Sequence, residues 1–220
     1  MGVPYISNAP DTAVGFLVSY VRSLDDFQIA EPTAGYEHMG AVVADATLQA
    51  GVKYRTVVEP KVARLIQDYP QCETTSVFLD CLKSDGPERV LGWSRGRKPE
   101  TAVALAELLI AEDVETVGDF KAWVRFPTSR PKLLGISGIG PKTADYLGLL
   151  AGRTDLAAID VHLNRFLRDA GISPVSYEQA QSIIIEAAKR LRVSPATLDH
   201  TIWKYMSNRK EGTATPSCHS

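Results

Sequence analysis

Cysteine is scarce in this chain. Cys72, Cys81 and Cys218 are the only three, widely scattered, and no C-x-x-C pair occurs. That argues against a disulfide framework and against a cysteine-ligated metal, and it fits a reducing cytoplasm. Long apolar runs are also missing: none approaches the ~20 residues that span a bilayer. The opening MGVPYISNAP has neither the basic nor the apolar region of a signal peptide. Ile6 stands where the myristoylation pattern requires Ser or Thr. Nor is there a positive excess, since 24 Lys and Arg face 26 Asp and Glu for a net charge of −2. A non-specific nucleic-acid binder normally carries such an excess, although a basic stripe on one face remains compatible with the balance. No stretch alternates strictly between apolar and polar, and no repeat of 20 to 50 residues is evident.

What is present is helical periodicity. In DTAVGFLVSYVRSL, Val14, Leu17, Val21 and Leu24 recur at helical spacing behind Asp11, a plausible N-cap. Pro60 and Pro99 suit first helical positions, and Pro70 a stop. Ser176 and Gln179 have the spacing of a capping box, and Ser194 with Pro195 reads as a cap followed by the first helical residue. An all-α fold is therefore expected. Breaks rich in Pro, Gly and Ser fall near residues 31–35, 84–87, 94–99, 127–140 and 171–176, and the last ten residues, EGTATPSCHS, read as a disordered tail.

The most informative stretch is LGISGIGPKTADY, Leu134 to Tyr146. Gly138 and Gly140 can take positive φ and let another backbone approach, while Pro141 presets the φ of a following helix. The N–H groups of such a turn, with those of the helix start, suit a phosphate oxygen. Ile139 is expected to tuck its side chain between the helices. A plain glycine-containing helical turn would read similarly, and so would a passive, sequence-blind DNA grip.

Eighteen positions beyond Lys142 stands Asp160, in AAIDVHLNRFLRDAGI. It precedes a helix with Val161, Phe166 and Leu167 expected on the buried side and Gly171 as its stop. Helix capping is the ordinary role for Asp160, and it does not exclude catalysis, because a capping carboxylate is held rigidly.

Hairpin, Lys142 and IDVH at this distance resemble the helix-hairpin-helix DNA glycosylases of the endonuclease III superfamily. The resemblance covers about residues 36–208 and is strongest from Leu134 to Gly171. It implies two all-α lobes around a cleft: a six-helix barrel with the hairpin, residues 36–153, and a second lobe from residues 1–35 and 154–210, followed by the tail 211–220. It implies Lys142 as the nucleophile and Asp160 as its electrostatic and acid–base partner. The partner would be duplex DNA with a damaged or modified base flipped into the cleft. A lysine at this position points to a glycosylase that is also an abasic-site lyase. Oxidised pyrimidines and 8-oxoguanine are both handled by lysine-bearing branches.

Gly138, Ile139 and Gly140 would form the backbone clamp on DNA, with room for a monovalent cation shared with a phosphate oxygen. No other cofactor is expected. Endonuclease III ends in four cysteines that hold an iron–sulfur cluster. Here only Cys218 lies beyond Asp160, so no cluster and no metal are expected. The family's wedge residue, often glutamine, falls in GAVVADATLQAGVKYRTVVEP, with Gln49 as candidate. Tyr54 and Trp93 are candidates to stack on a base, and both are also ordinary core residues. Arg97 and Lys98 in the SRGRK loop, with Arg95, and Arg165 with Arg168 on the helix after Asp160 are candidate phosphate contacts. His162 is expected to pack and hydrogen-bond. The reading is a monomeric, cytoplasmic, membrane-free repair enzyme, nucleoid-associated if bacterial. A monofunctional glycosylase that uses water, and a non-catalytic binding module that kept only the hairpin, stay open.

Overall fold

The computed structural model of the chain describes residues 10–33 and 35–209. The expected tail at 211–220, and Cys218 with it, lie outside them. Among the described residues there are twelve α-helices and no strand, as the periodicity predicts. They are α1 (Pro10–Ser23), α2 (Met39–Leu48), α3 (Glu59–Asp68), α4 (Thr75–Asp85), α5 (Pro87–Leu91), α6 (Lys98–Ala111), α7 (Val117–Trp123), α8 (Ser129–Leu134), α9 (Pro141–Leu150), α10 (Val161–Asp169), α11 (Tyr177–Leu191) and α12 (Pro195–Asn208). A single π-helical turn, Tyr54–Val58, leads into α3. No helix among the described residues is long and apolar enough to cross a membrane.

The chain divides into two compact units. Among the described residues, those within 33–158 form the central unit, and 10–32 with 159–209 form the terminal unit. The divisions at 32/33 and 158/159 compare with expected ones at 35/36 and 153/154.

In the central unit every residue of α2 is buried, and α3, α4, α6 and α9 pack around it. The helix starts at His38, whose Nδ1 accepts the Ala41 N–H at 3.0 Å. Its Nε2 lies 3.0 Å from the Tyr69 carbonyl, so Nε2 carries the proton and Nδ1 the lone pair. Phe78, Leu65, Leu82, Leu105, Leu109 and Phe120 fill the space around α2. In the terminal unit α1 packs on α11, and α10 and α11 on α12. Phe166 sits at the centre of an aromatic group, with its ring centre 5.1 Å from Tyr20, 5.5 Å from Phe27 and 6.0 Å from Tyr205.

Most caps follow the local rules. The Ser176–Gln179 capping box forms, and Ser194 accepts from Thr197 N ahead of Pro195. Thr116 and Asp119 make a second box that the sequence reading had not singled out. Three starts differ. Helix α1 begins at Pro10, which puts Asp11 inside its first turn, and α3 and α6 begin one residue ahead of Pro60 and Pro99. Proline is equally suited to the second helical position, since that N–H also lacks an intrahelical acceptor.

Val161 is a correction. It is 76% exposed, while Phe166 and Leu167 are buried. Phe166 is five positions beyond Val161, which leaves the two about 140° apart around the helix, so they cannot share a face.

The hairpin joins α8 to α9. Arg130 on α8 grips the buried Asp145 of α9 with two bonds, Nε at 2.7 Å and Nη2 at 3.2 Å, and this fixes the two arms together. Ile139 is buried as expected. The glycines are not equivalent. Gly138 has φ +97°, whereas Gly140 is extended at φ −96° and ψ −179°. A Cβ on Gly138 would collide with Thr101 Oγ1, while one on Gly140 would meet nothing within 4 Å. Gly138→Ala is therefore expected to cost about 1–3 kcal/mol of stability. Gly140→Ala should change it by less than about 1 kcal/mol. Denaturation midpoints of the two variants provide the check.

Candidate active site

Lys142 is the second residue of α9 and half buried in the central unit. Its Nζ donates to Oε1 of Gln49, the C-capping residue of α2, and lies 5.0 Å from the centre of the Tyr146 ring. Tyr146 is one turn further along α9, so the same helix face carries the amine and the ring beneath it.

Behind them stands Asp45, fully buried on α2. Three tyrosine hydroxyls donate to it: Tyr36 at 2.6 Å and Tyr54 at 2.6 Å on one oxygen, and Tyr146 at 3.0 Å on the other. A lone buried carboxylate would be costly, and three donors are what make this one tolerable. Burial pushes the Asp45 carboxyl above its usual range, opposed by the tyrosine bonds and by the charge of Lys142. The phenols of Tyr36, Tyr54 and Tyr146 are pushed up in turn, first by burial and then by the Asp45 charge.

An acid whose folded-state pKa is raised contributes most to stability below its unfolded value, and that contribution is lost as pH rises through the folded value. Asp45→Asn cannot ionise. Its stability relative to wild type is expected to improve as pH rises above about 4, the unfolded value of an aspartate, until the folded carboxyl has ionised. Paired denaturation curves across that range would test this.

Lys98 is not a free loop cation. Its Nζ donates to the carbonyls of Leu48 and Ala50, the latter at 2.7 Å, and lies 4.3 Å from the centre of the Trp93 ring. The amine thus caps the C-terminal end of α2, and burial, followed by the charge of Lys142, lowers its pKa. Trp93 is engaged as the face under Lys98, and Tyr54 as a donor to Asp45. Gln49 is only 9% exposed and turned to Lys142. Arg97 does reach the hairpin, with Nη1 donating to Ser137 Oγ at 3.1 Å, and remains exposed.

In the terminal unit Asp160 caps α10. One carboxylate oxygen accepts the N–H groups of His162 at 2.8 Å and Leu163 at 2.9 Å. Arg165 and Arg168 are exposed on the same helix. Hollows of about 380 and 410 Å³ lie in this unit, the first lined by Val161, Asn164 and Arg168, the second by residues that include Tyr205 and Arg209. Lys142 lines neither of them. Among the described residues no group of three or more His, Cys, Asp or Glu side chains could hold a metal ion.

The sequence reading missed Asp45, Tyr36 and Tyr146. The signal was there: an aspartate inside an otherwise apolar helix, four residues before Gln49, and a tyrosine four residues after Lys142.

A family model described as a domain of unknown function (DUF8548) matches residues 16–207. An 8-oxoguanine DNA glycosylase/AP lyase of Saccharolobus islandicus is 36% identical over 89 residues, covering 36% of this chain and 43% of that protein. The chain therefore spans under half the length of the curated relatives it matches. A trapped endonuclease III–DNA covalent intermediate has a similar fold, with TM-score 0.64 and 17% identity over 96% of this chain and 93% of that one. The 8-oxoguanine glycosylase/lyase of Methanocaldococcus jannaschii, in complex with DNA containing 8-oxoguanine, aligns with TM-score 0.54 and 16% identity over 94% and 93%. The all-α fold and the resemblance to the endonuclease III superfamily are borne out.

Proposed function

The chain belongs to the DUF8548 family, a domain of unknown function, and we propose that it is a base-excision-repair DNA glycosylase with associated abasic-site lyase activity. The observation that carries this reading is Lys142 itself. It is a half-buried amine directly after a glycine hairpin, held by Gln49 and the Tyr146 ring.

In this reading the hairpin binds a backbone phosphate of duplex DNA through the N–H groups around Gly138, Ile139 and Gly140. A monovalent cation could share that phosphate oxygen. Arg97 and Arg165 add phosphate contacts, and the protein acts as a monomer. Lys142 Nζ, as the free amine, attacks C1′ of the flipped nucleotide. The C1′–N bond breaks and its electron pair leaves with the base. The new aminium passes a proton to O4′ as the sugar ring opens, which leaves an iminium between Nζ and C1′. That iminium acidifies C2′–H, and β-elimination then expels the 3′ phosphate. Asp160 supplies the carboxylate that steadies positive charge on the sugar as the glycosidic bond breaks.

Borohydride trapping on duplex oligonucleotides, each with one lesion or one abasic site, tests the reading. A covalent adduct is expected on the abasic site and on at least one lesion. Alkali-labile sites without an adduct would instead indicate a monofunctional glycosylase. Binding with neither would reduce the protein to a DNA-binding module.

A further inference from the structure

Gln49 has two ends and only one is used. Its Oε1 accepts from Lys142 Nζ. Its Nε2 is buried and has no hydrogen-bond partner. The orientation of the amide is not arbitrary, because an ammonium donor requires the oxygen, so the nitrogen is left over. Buried donors without acceptors are rare in folded proteins, and one beside a reactive amine points to a ligand.

The ligand atom can be narrowed by chemistry. If Lys142 attacks C1′, as proposed above and on which this inference rests, Gln49 lies one hydrogen bond from the attacking nitrogen. Its Nε2 then reaches atoms only a bond or two from C1′. Two acceptors are available there. One is the sugar O4′, which gains positive charge as the bond breaks and so loses value as an acceptor. The other is an oxygen on the base carbon next to the glycosidic nitrogen, which gains negative charge as the base departs with the bonding pair. A fixed donor is worth most where negative charge develops.

We propose that Gln49 is a specificity-determining residue, whose Nε2–H donates to a carbonyl oxygen adjacent to the glycosidic nitrogen. That feature defines a substrate class. Pyrimidines carry it as the C2 carbonyl and 8-oxopurines as the C8 carbonyl. Ordinary purines, hypoxanthine and ethenoadenine have C8–H at that place and leave the donor unpaired. One site thereby accepts oxidised pyrimidines and 8-oxoguanine together and rejects purines altered elsewhere.

The experiment compares excision from duplexes containing 8-oxoguanine, 5-hydroxyuracil, hypoxanthine or 1,N6-ethenoadenine with borohydride trapping at a preformed abasic site. Wild type, Gln49→Met and Gln49→Glu are each used as the full chain. Wild type is expected to excise the first two bases at least about 100-fold faster than the last two. Both variants should slow that excision by at least about tenfold more than they slow trapping at the abasic site, because the lost base contact adds to whatever is lost through the Gln49–Lys142 bond. Gln49→Glu keeps an acceptor for Lys142 and removes the donor, and the added charge favours the ammonium form of Lys142, a loss that falls on lesion and abasic substrates alike and cancels in the comparison. It therefore serves as the decisive variant if Gln49→Met fails to fold. Equal losses on lesion and abasic substrates would overturn the proposal and make Gln49 a support for Lys142 alone. Excision of hypoxanthine as fast as 8-oxoguanine by wild type would overturn it without any variant. Failure of wild type to trap the abasic site would overturn the lysine mechanism itself, and this inference with it.

Discussion

Lys142→Ala is expected to abolish the borohydride-trapped adduct and to slow base excision by at least about 10³-fold, with the helical fold retained. The fold survives because α9 is started by Pro141 and held to α8 by Arg130 and Asp145, neither of which involves Lys142. Some stability is nevertheless lost. Removing the amine leaves Gln49 Oε1 without its donor in a buried place, at a cost of about 1–3 kcal/mol. Lys142→Arg separates the two roles a lysine can have here. A guanidinium keeps the charge for a phosphate but is no nucleophile at neutral pH. If Lys142→Arg excises bases as fast as wild type, Lys142 is a phosphate contact and the Schiff-base route is wrong.

Asp160→Asn is expected to slow excision by about 10²–10³-fold with almost no change in stability. The split has a structural basis. A single oxygen of Asp160 accepts both cap bonds, from His162 and Leu163, and asparagine offers an equivalent oxygen. What asparagine lacks is the negative charge. Asp160→Ala loses the cap as well and should cost about 0.5–2 kcal/mol. Single-turnover excision and chemical denaturation on the two variants form the test. A carboxylate that only caps α10 would show the opposite pattern, with Asn as active as wild type and Ala impaired in stability alone.

The hairpin was legible because every part of it is local. Gly138 needs positive φ, Pro141 presets a helix, and Ile139 falls where a side chain must turn inward, all within a few residues. Asp160 was legible for the same reason, since a cap bonds to residues two and three positions away. Val161 was misread although the evidence was also local, because its phase relative to Phe166 excludes a shared face. The partners of Lys98 were not legible, for a different reason. Its loop reads SRGRK, a solvent-facing run of charge, and nothing nearby announces that the amine turns back to carbonyls about fifty positions earlier in the chain.

Tyr36, Asp45, Tyr54 and Tyr146 share no motif and come from a loop, two helices and a π-helical turn. Their meeting depends on how α2 and α9 pack, and packing responds to the volumes of the whole core rather than to any short pattern. The amine of Lys142 and the amide of Gln49 are 93 positions apart and still form one bond. The all-helical character, most of the caps, the hairpin, Lys142 and Asp160 are readable from the chain alone, because periodicity, capping and backbone φ act between near neighbours. Long-range packing puts a carboxylate under three tyrosines, occupies Lys98, and turns Gln49 to Lys142 with a spare donor. Those are contacts between distant segments, and their partners are chosen by the burial of everything around them.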